Sequence, residues 1–386
     1  MRYILLIVLT FLLSLSLKAQ ARLSDQAHIS LITCSPGEEL YALFGHSAIR
    51  VNDPVAGFDW VFNYGTFDFD TPNFYLKFAN GNLNYMLSRG DYARFVTIYN
   101  YEKRSVYEQP LILSSQEKQD LFEALMINLQ GENRFYRYDF LFDNCATRIR
   151  DIITANLDVA PVYDDAAFDE YTFREMLHQY DGDKPWIADG LDLILGMKTD
   201  YPANQHDQMF LPDYLMKHLG GAVRADSGLP LLGETHTVLS FDKPLEGVFF
   251  TPALFFWLLF IGSIILAYYE LRCQRPLVWL NRFFLLLSGL VGCLIFFLWF
   301  LSRHSVTGEN FNMLWAMPFN VFVAFLANWF YRSKIFGVYL IFLLVCASLP
   351  ILFFWAIPQY LPAMVYPLCL LLLSRYATWF YLNNKA

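Results

Sequence analysis

The sequence predicts an α+β exported domain followed by an all-α domain of five transmembrane helices, and three observations predict it. The chain has 386 residues, 56% hydrophobic and 18% aromatic, which is too apolar for one soluble domain, and the excess is unevenly spread. Between about residues 20 and 252, strand patterns come first and helix patterns second, the order of an α+β domain. From Ala253 onward, five apolar stretches appear near 253–271, 283–301, 313–331, 335–357 and 361–382, each long enough for a helix to cross a bilayer.

The first 19 residues have Arg2, an apolar run from Tyr3 to Leu17 and small residues at Ala19 to Ala21, the pattern of a cleaved export signal. No Cys follows the run, so a lipid-anchored start is not expected. "AHISLITCSPGEELYALFGHSAIRV" (27–51) reads as a strand, a Pro-Gly turn and a second strand entered through Gly45. "DWVFNYGTFDF" (59–69) and "ARFVTIYNYEKRSVYEQPLIL" (93–113) alternate and are rich in aromatics, so both read as strands. "SSQEKQDLFEALMINLQ" (114–130) reads as a capped helix with Ser114 or Ser115 as cap. Short helical patterns broken by Gly and Pro fill 170–220.

Basic residues orient the membrane half. Arg272, Arg275, Arg282, Arg332, Lys334 and Lys385 fall in alternate connections and at the end, and the other connections hold only Arg303. The positive-inside rule then puts the C-terminus in the cytoplasm and residues 20–252 across the membrane from it, as the export signal also requires. Residues 20–252 carry 34 acidic and 18 basic side chains, a net of −16, and residues 253–386 carry 2 and 8, a net of +6. An exported domain this acidic is not expected to bind nucleic acid, nor to reach an anionic bilayer by charge alone.

The chemistry centres on "DFLFDNCATRIRDII" (139–153). Ala146, Ile149, Ile152 and Ile153 recur at helical spacing, and Asp143 and Asn144 are capping residues, so Cys145 falls at the helix N-terminus. The free N–H groups there favour a thiolate and are expected to lower the thiol pKa. His46, where the Gly45 turn enters a strand, is the best-placed base; His28, His178, His206, His218 and His236 lie in more ordinary polar or helical surroundings. Three readings of Cys145 stay open at this point: a nucleophile, a disulfide with Cys34 in an oxidising compartment, or a small buried residue. No Cys or His lies at zinc-ligand spacing from either thiol, so no metal is expected.

"YALFGHSAIRV", "WVFNYGTFDF", "YRYDFLFDNCATRIRDII" and "MFLPDYL" together resemble the Lnb-type lipoprotein N-acyltransferases of certain Gram-negative bacteria, over nearly the whole chain. The resemblance implies a permuted papain-like exported domain (20–252), in which the His strand precedes the Cys helix, followed by a five-helix membrane domain (253–386) in the bacterial inner membrane. It implies a phospholipid acyl donor, a diacylated lipoprotein acceptor, a thioester on Cys145 with His46 as base, and no cofactor. Asn63, on the next strand, is then the expected group to orient His46, with Tyr64 as a rival and Asn144 as possible orienting or oxyanion support. Arg148 has two readings, a phosphate site or an ion pair with Asp151, and the pair is favoured. His304, Glu309, Asn310 and Asn312 lie on the exported side, either as a solvated loop or as the floor of a lipid site. Asn320 and Asn328 continue into the third span and are expected to face protein. Arg375, near the cytoplasmic end of the last span, is expected to snorkel. Two other functions fit the same residues: a membrane-anchored cysteine peptidase or amidase acting on cell-wall peptide, and a non-enzymatic binding module held by a Cys34–Cys145 bridge.

Overall fold

The computed structural model describes residues 22–164, 168–242, 249–330 and 333–385. The expected export signal and Arg332 lie outside the described residues. Alternating apolar residues build a seven-stranded antiparallel sheet from His28–Cys34 (β1), His46–Asp53 (β2), Phe58–Thr66 (β3), Asn84–Asp91 (β4), Val106–Pro110 (β5), Phe135–Arg137 (β6) and His236–Leu239 (β7). The spatial order is β7-β5-β1-β2-β3-β4-β6. Successive side chains of a strand point to opposite faces. Ile29, Leu31, Ile49, Val51 and Phe62 therefore enter one core, and Ile32, Cys34, Ala48 and Val61 another.

Helices cover both faces. Phe74–Ala79 (α1) leads into β4, and Tyr92–Tyr101 (α2) closes the Cys34 face with Phe95 and Tyr99. Ser115–Asn128 (α3) and Cys145–Ala155 (α4) close the other face. The strand expected over 93–113 is thus a helix followed by the short β5. Phe95 and Tyr99, one helical turn apart with ring centroids at 4.5 Å, bury together on a helix, and that pairing outweighs the alternation read from the aromatics. The cap expected for 114–130 is present: Ser114 and Glu117 form a capping box. Phe173–Asp181 (α5), Pro185–Ile194 (α6) and Pro212–Gly220 (α7) form a third layer. Arg174, 2% exposed, ties α5 to that layer by bonds to Asp192, Asp200, Thr199 and the carbonyls of Leu195 and Gly196.

Among the described residues the membrane half contains five α-helices: Pro252–Cys273 (α8), Val278–Phe296 (α9), Asn320–Phe330 (α10), Lys334–Leu352 (α11) and Val365–Lys385 (α12). Four of them, with α9 extended to Leu301, are long and apolar enough to span a bilayer. The third apolar stretch differs from a plain 20-residue helix. Regular helix starts only at Asn320, after a single turn at Phe311–Leu314 and an irregular run through Pro318. Irregular backbone at this depth must be covered by protein. The small face Ser288, Gly289 and Gly292 of α9 supplies that cover: a Cβ on Gly292 would meet the Ala316 carbonyl oxygen at 2.2 Å. Asn320 faces protein as expected, donating to Ser288 Oγ (2.9 Å) and accepting from Tyr339; nothing is described of the Asn328 side chain.

Arg375 corrects an expectation. It does not snorkel but is fully buried, 2.6 Å from the equally buried Glu270, with its Nε donating to Asn281 Oδ1 at 2.8 Å. An ion pair joining α8, α9 and α12 costs less than a lone charge among lipid tails, which explains the inward position.

Candidate active site

Cys145 is the first residue of α4, 9% exposed, behind an Asn144 cap. Asn144 Oδ1 accepts from Ala146 N (2.9 Å) and Thr147 N (3.0 Å), and its Nδ2 donates to the carbonyls of Phe140 and Phe210 (both 2.9 Å). All the capacity of that amide serves to hold the turn, so Asn144 fixes the position of Cys145 and has no side-chain donor left over. The preceding turn is closed by mutual backbone bonds between Asp139 and Asp143 (3.0 and 3.1 Å) and by Asp139 Oδ1, which accepts from Leu141 N and Phe142 N. Arg148 pairs with Asp143 at 2.5 and 2.7 Å and stacks on Tyr136 at 3.9 Å; Asp151, its expected partner, is taken by Arg150. Arg148 thus bonds the carboxylate of the turn before its own helix, while the exposed Asp151 is bonded to Arg150.

Two glycines shape the sheet side. Gly45 (φ 80) precedes His46, and Gly65 (φ 86) follows Asn63 by two residues, conformations that a side chain would strain. Gly65 lies in a bulge between the pairs Asn63↔Ser88 and Thr66↔Met86. It also sits against the thiol: a Cβ there would be 3.6 Å from Cys145 Cβ and 3.7 Å from Tyr138 Cε2.

His46 Nε2 bonds Asn63 Oδ1 at 3.2 Å. An amide oxygen only accepts, so the bond fixes the neutral imidazole as the Nε2–H tautomer and leaves Nδ1 as the free base. Burial pushes the imidazole pKa down to about 4, against the raising effect of Asn63. The Cys145 thiol is pushed up by burial, which outweighs the backbone N–H groups of Ser47, Ala146 and Cys145 directed at the sulfur. The helix terminus does favour the thiolate, as expected from the sequence, but burial against Gly65 and the tyrosines reverses the net sign. Both shifts favour the neutral forms, a thiol and an imidazole. Ser47, the residue after His46, touches the sulfur through its N–H, so β2 brings His46 and Cys145 into one neighbourhood. Among the described residues no hydrogen bond joins the two side chains; such bonds commonly tighten only when substrate is bound.

The other candidates have different duties. Tyr64 is in the core, 2% exposed, with its hydroxyl accepting from Asn128 Nδ2 at 2.8 Å, so it does not orient His46. Cys34 and Cys145 are both free thiols, and Cys34 packs with Phe95, Tyr99 and Val106 in the core on the opposite side of the sheet from α4. The bridge that the binding-module reading needs is absent for that reason. Among the described residues no group of three or more His, Cys, Asp or Glu could hold a metal ion.

The loop expected as either solvated or a lipid-site floor packs against the exported domain as a strap. His304 Nε2 bonds the Phe78 carbonyl at 3.0 Å, and Glu309 (φ 55) uses its carbonyl to accept from Met197 N at 3.2 Å. Asn310 and Asn312 are buried, and both donate to the Leu193 carbonyl, at 2.8 and 3.4 Å. Val306 packs into the core that holds Leu141 and Phe210, and Ser305 Oγ donates to Asp139 Oδ2. The membrane half therefore braces the turn that presents Cys145. Sequence reasoning missed Asp139, Ser305 and the Ser47 N–H. Asp139 had a local signal, an Asp opening a tight turn; Ser305, 166 residues from its partner, had none.

Comparisons with known proteins agree with this two-part architecture. A family model described as the Lnb N-terminal periplasmic domain matches residues 18–179, and one described as the Lnb transmembrane domain, with five helices, matches residues 244–386. No curated protein and no solved structure matches the chain.

Proposed function

The chain belongs to the Lnb family, and from that premise we propose that it is a lipoprotein N-acyltransferase working through a thioester on Cys145. As the sulfur attacks an ester carbonyl of a membrane phospholipid, His46 Nδ1 takes the thiol proton. The N–H groups of Ser47 and Cys145, already directed at the sulfur, face the developing oxyanion. Collapse breaks the ester C–O bond. The released lysophospholipid oxygen takes the proton back from His46, and the acyl group stays on sulfur. The free α-amine of a diacylglyceryl-cysteine then attacks the thioester. His46 Nδ1 takes the proton that the attacking amine loses and passes it to the leaving sulfur, so ester and amine become alcohol and amide with no ATP consumed.

Asn63 is the positioning residue: its carbonyl holds the imidazole in the tautomer this sequence needs. The observation that carries the reading is this bond on β2 and β3 beside a helix-capped thiol, all braced by a membrane domain. On this reading the protein is a multi-pass chain of the bacterial inner membrane, with a papain-like periplasmic domain and a cytoplasmic C-terminus. A cell-wall peptidase would use the same thiol and imidazole but needs no more than one anchoring helix. The direct test incubates the full-length protein with phospholipid and no acceptor. An acyl mass on the Cys145 peptide, removed by hydroxylamine and absent from Cys145→Ala, supports the thioester; a peptide that stays unmodified while the protein is folded overturns it.

A further inference from the structure

An acidic, exported domain with a cluster of exposed aromatic and aliphatic side chains needs a partner for that cluster. Around α1, Phe69 is 64% exposed, Tyr75 80%, Leu76 72% and Phe78 50%, and Tyr41 on the neighbouring turn is 67%. No residue of α1 is buried. This patch sits at the end of a membrane span. Arg303, two residues beyond the span that ends at Leu301, donates its N–H to the Asn80 carbonyl at 3.0 Å. His304 bonds the Phe78 carbonyl, and Gly81 packs so closely that a Cβ there would meet the Arg303 backbone at 3.2 Å. At its other side the patch leads to the thiol. Phe69 meets Phe67 at 5.0 Å between ring centroids, Phe67 meets Tyr85 at 5.5 Å, and Tyr85 meets Tyr138 at 4.5 Å. Tyr138 and Gly65 then flank Cys145.

We infer that α1 and its neighbouring rings dock into the outer leaflet and form the apolar path by which a phospholipid acyl chain reaches Cys145. The occupant is the bilayer itself, because the patch continues the surface of an apolar span two residues away. Aromatic rings suit that level, where one side of a residue meets lipid tails and the other meets water. A six-residue helix cannot hold itself in water without burying a face, so the bilayer also supplies its missing core. The path rests on the acyl-transfer reading; the docking does not.

The test uses the full-length protein in phospholipid nanodiscs, with Cys145 and the exposed Cys273 and Cys293 replaced by serine for the spin-label measurement. A nitroxide is placed at Leu76→Cys, with Ala56→Cys on the distant β2–β3 turn as the aqueous reference. Docking predicts that the label at 76 is relaxed by oxygen and shielded from a water-soluble nickel chelate, with the reverse at 56. Equal exposure of both to the chelate overturns the inference. So does spin–spin broadening at 76, the mark of a second copy covering the patch. For the path, Phe69→Ser with Leu76→Ser should lower acyl transfer from nanodisc phospholipid by about tenfold or more, as expected for losing the burial of large apolar groups. Alkylation of Cys145 by small iodoacetamide should not change. Transfer unchanged in the double variant overturns the path. A chain that transfers no acyl group as wild type fails the function while the depth measurement still decides the docking.

Discussion

Gly196→Ala tests whether the membrane half braces the catalytic turn. Gly196 has ordinary extended dihedrals (φ −89°, ψ −171°), so glycine is needed there for close approach rather than for conformation. A Cβ would lie 1.8 Å from the Gly308 carbonyl oxygen, and reaching even 3.0 Å requires the two backbones to part by about 1.2 Å. The bonds Gly196 N→Val306 O (2.8 Å) and Met197 N→Glu309 O (3.2 Å) would then be too long to hold. Two lost backbone bonds at about 1 kcal/mol each, with about 1–3 kcal/mol of overpacking, give a cost of about 3–5 kcal/mol at the strap. Val306 and Ser305 would withdraw from Leu141 and Asp139 with it. The assay is thermal unfolding of the full-length protein in detergent, together with the rate of Cys145 alkylation. The variant should melt earlier and expose the thiol faster. Gly190→Ala is the control: nothing lies within 4 Å of its Cβ on α6, so it should gain about 0.5–1 kcal/mol. If Gly196→Ala matches wild type in both measurements, the bracing argument is wrong.

Removing the acceptor from Asn63 should disturb catalysis more than folding. Asn63→Leu is expected to lower acyl transfer by about 10–100-fold, and Asn63→Asp, which keeps an acceptor for His46 Nε2, to recover most of it. Tyr64→Phe loses only a core bond to Asn128, so stability should fall by about 1 kcal/mol with transfer little changed. A thiol pushed up and an imidazole pushed down to about 4 predict no Cys145 thiolate absorbance at neutral pH. Since only neutral His46 accepts a proton, formation of the Cys145 thioester without acceptor should hold as pH falls through the ordinary histidine range and be lost as it approaches about 4. A thiolate signal at neutral pH that Cys145→Ala abolishes would refute both parts. In the membrane half, Arg375→Met strands a buried carboxylate and should cost about 3–5 kcal/mol in unfolding assays, and adding Glu270→Met should restore most of it.

Much of the architecture was readable because its signals are local. The capped helix opening at Cys145, the glycine turn before His46 and the apolar stretches of the membrane half each rest on neighbouring residues. Where two periods fit one segment, as in "YARFVTIYNY", packing of Phe95 against Tyr99 decided for a helix. Long-range pairing was not readable. Arg375 looked like a snorkelling end residue because Glu270, more than a hundred positions earlier, cannot be matched to it from spacing. The polar run from His304 to Asn312 looked solvated because its partners are backbone carbonyls at 78 and 193, which carry no sequence signal. The sign of the Cys145 shift depends on tertiary burial, which local capping cannot report.

The central claim is acyl transfer through Cys145, and mass spectrometry of one lipoprotein's N-terminal peptide tests it most directly. The chain is supplied to bacteria lacking their own N-acyltransferase as wild type, Cys145→Ala or Cys34→Ala. A third, amide-linked acyl chain is expected with wild type and with Cys34→Ala, and only two chains with Cys145→Ala. Two chains with a folded, inserted wild-type protein, or three with Cys145→Ala, would contradict it.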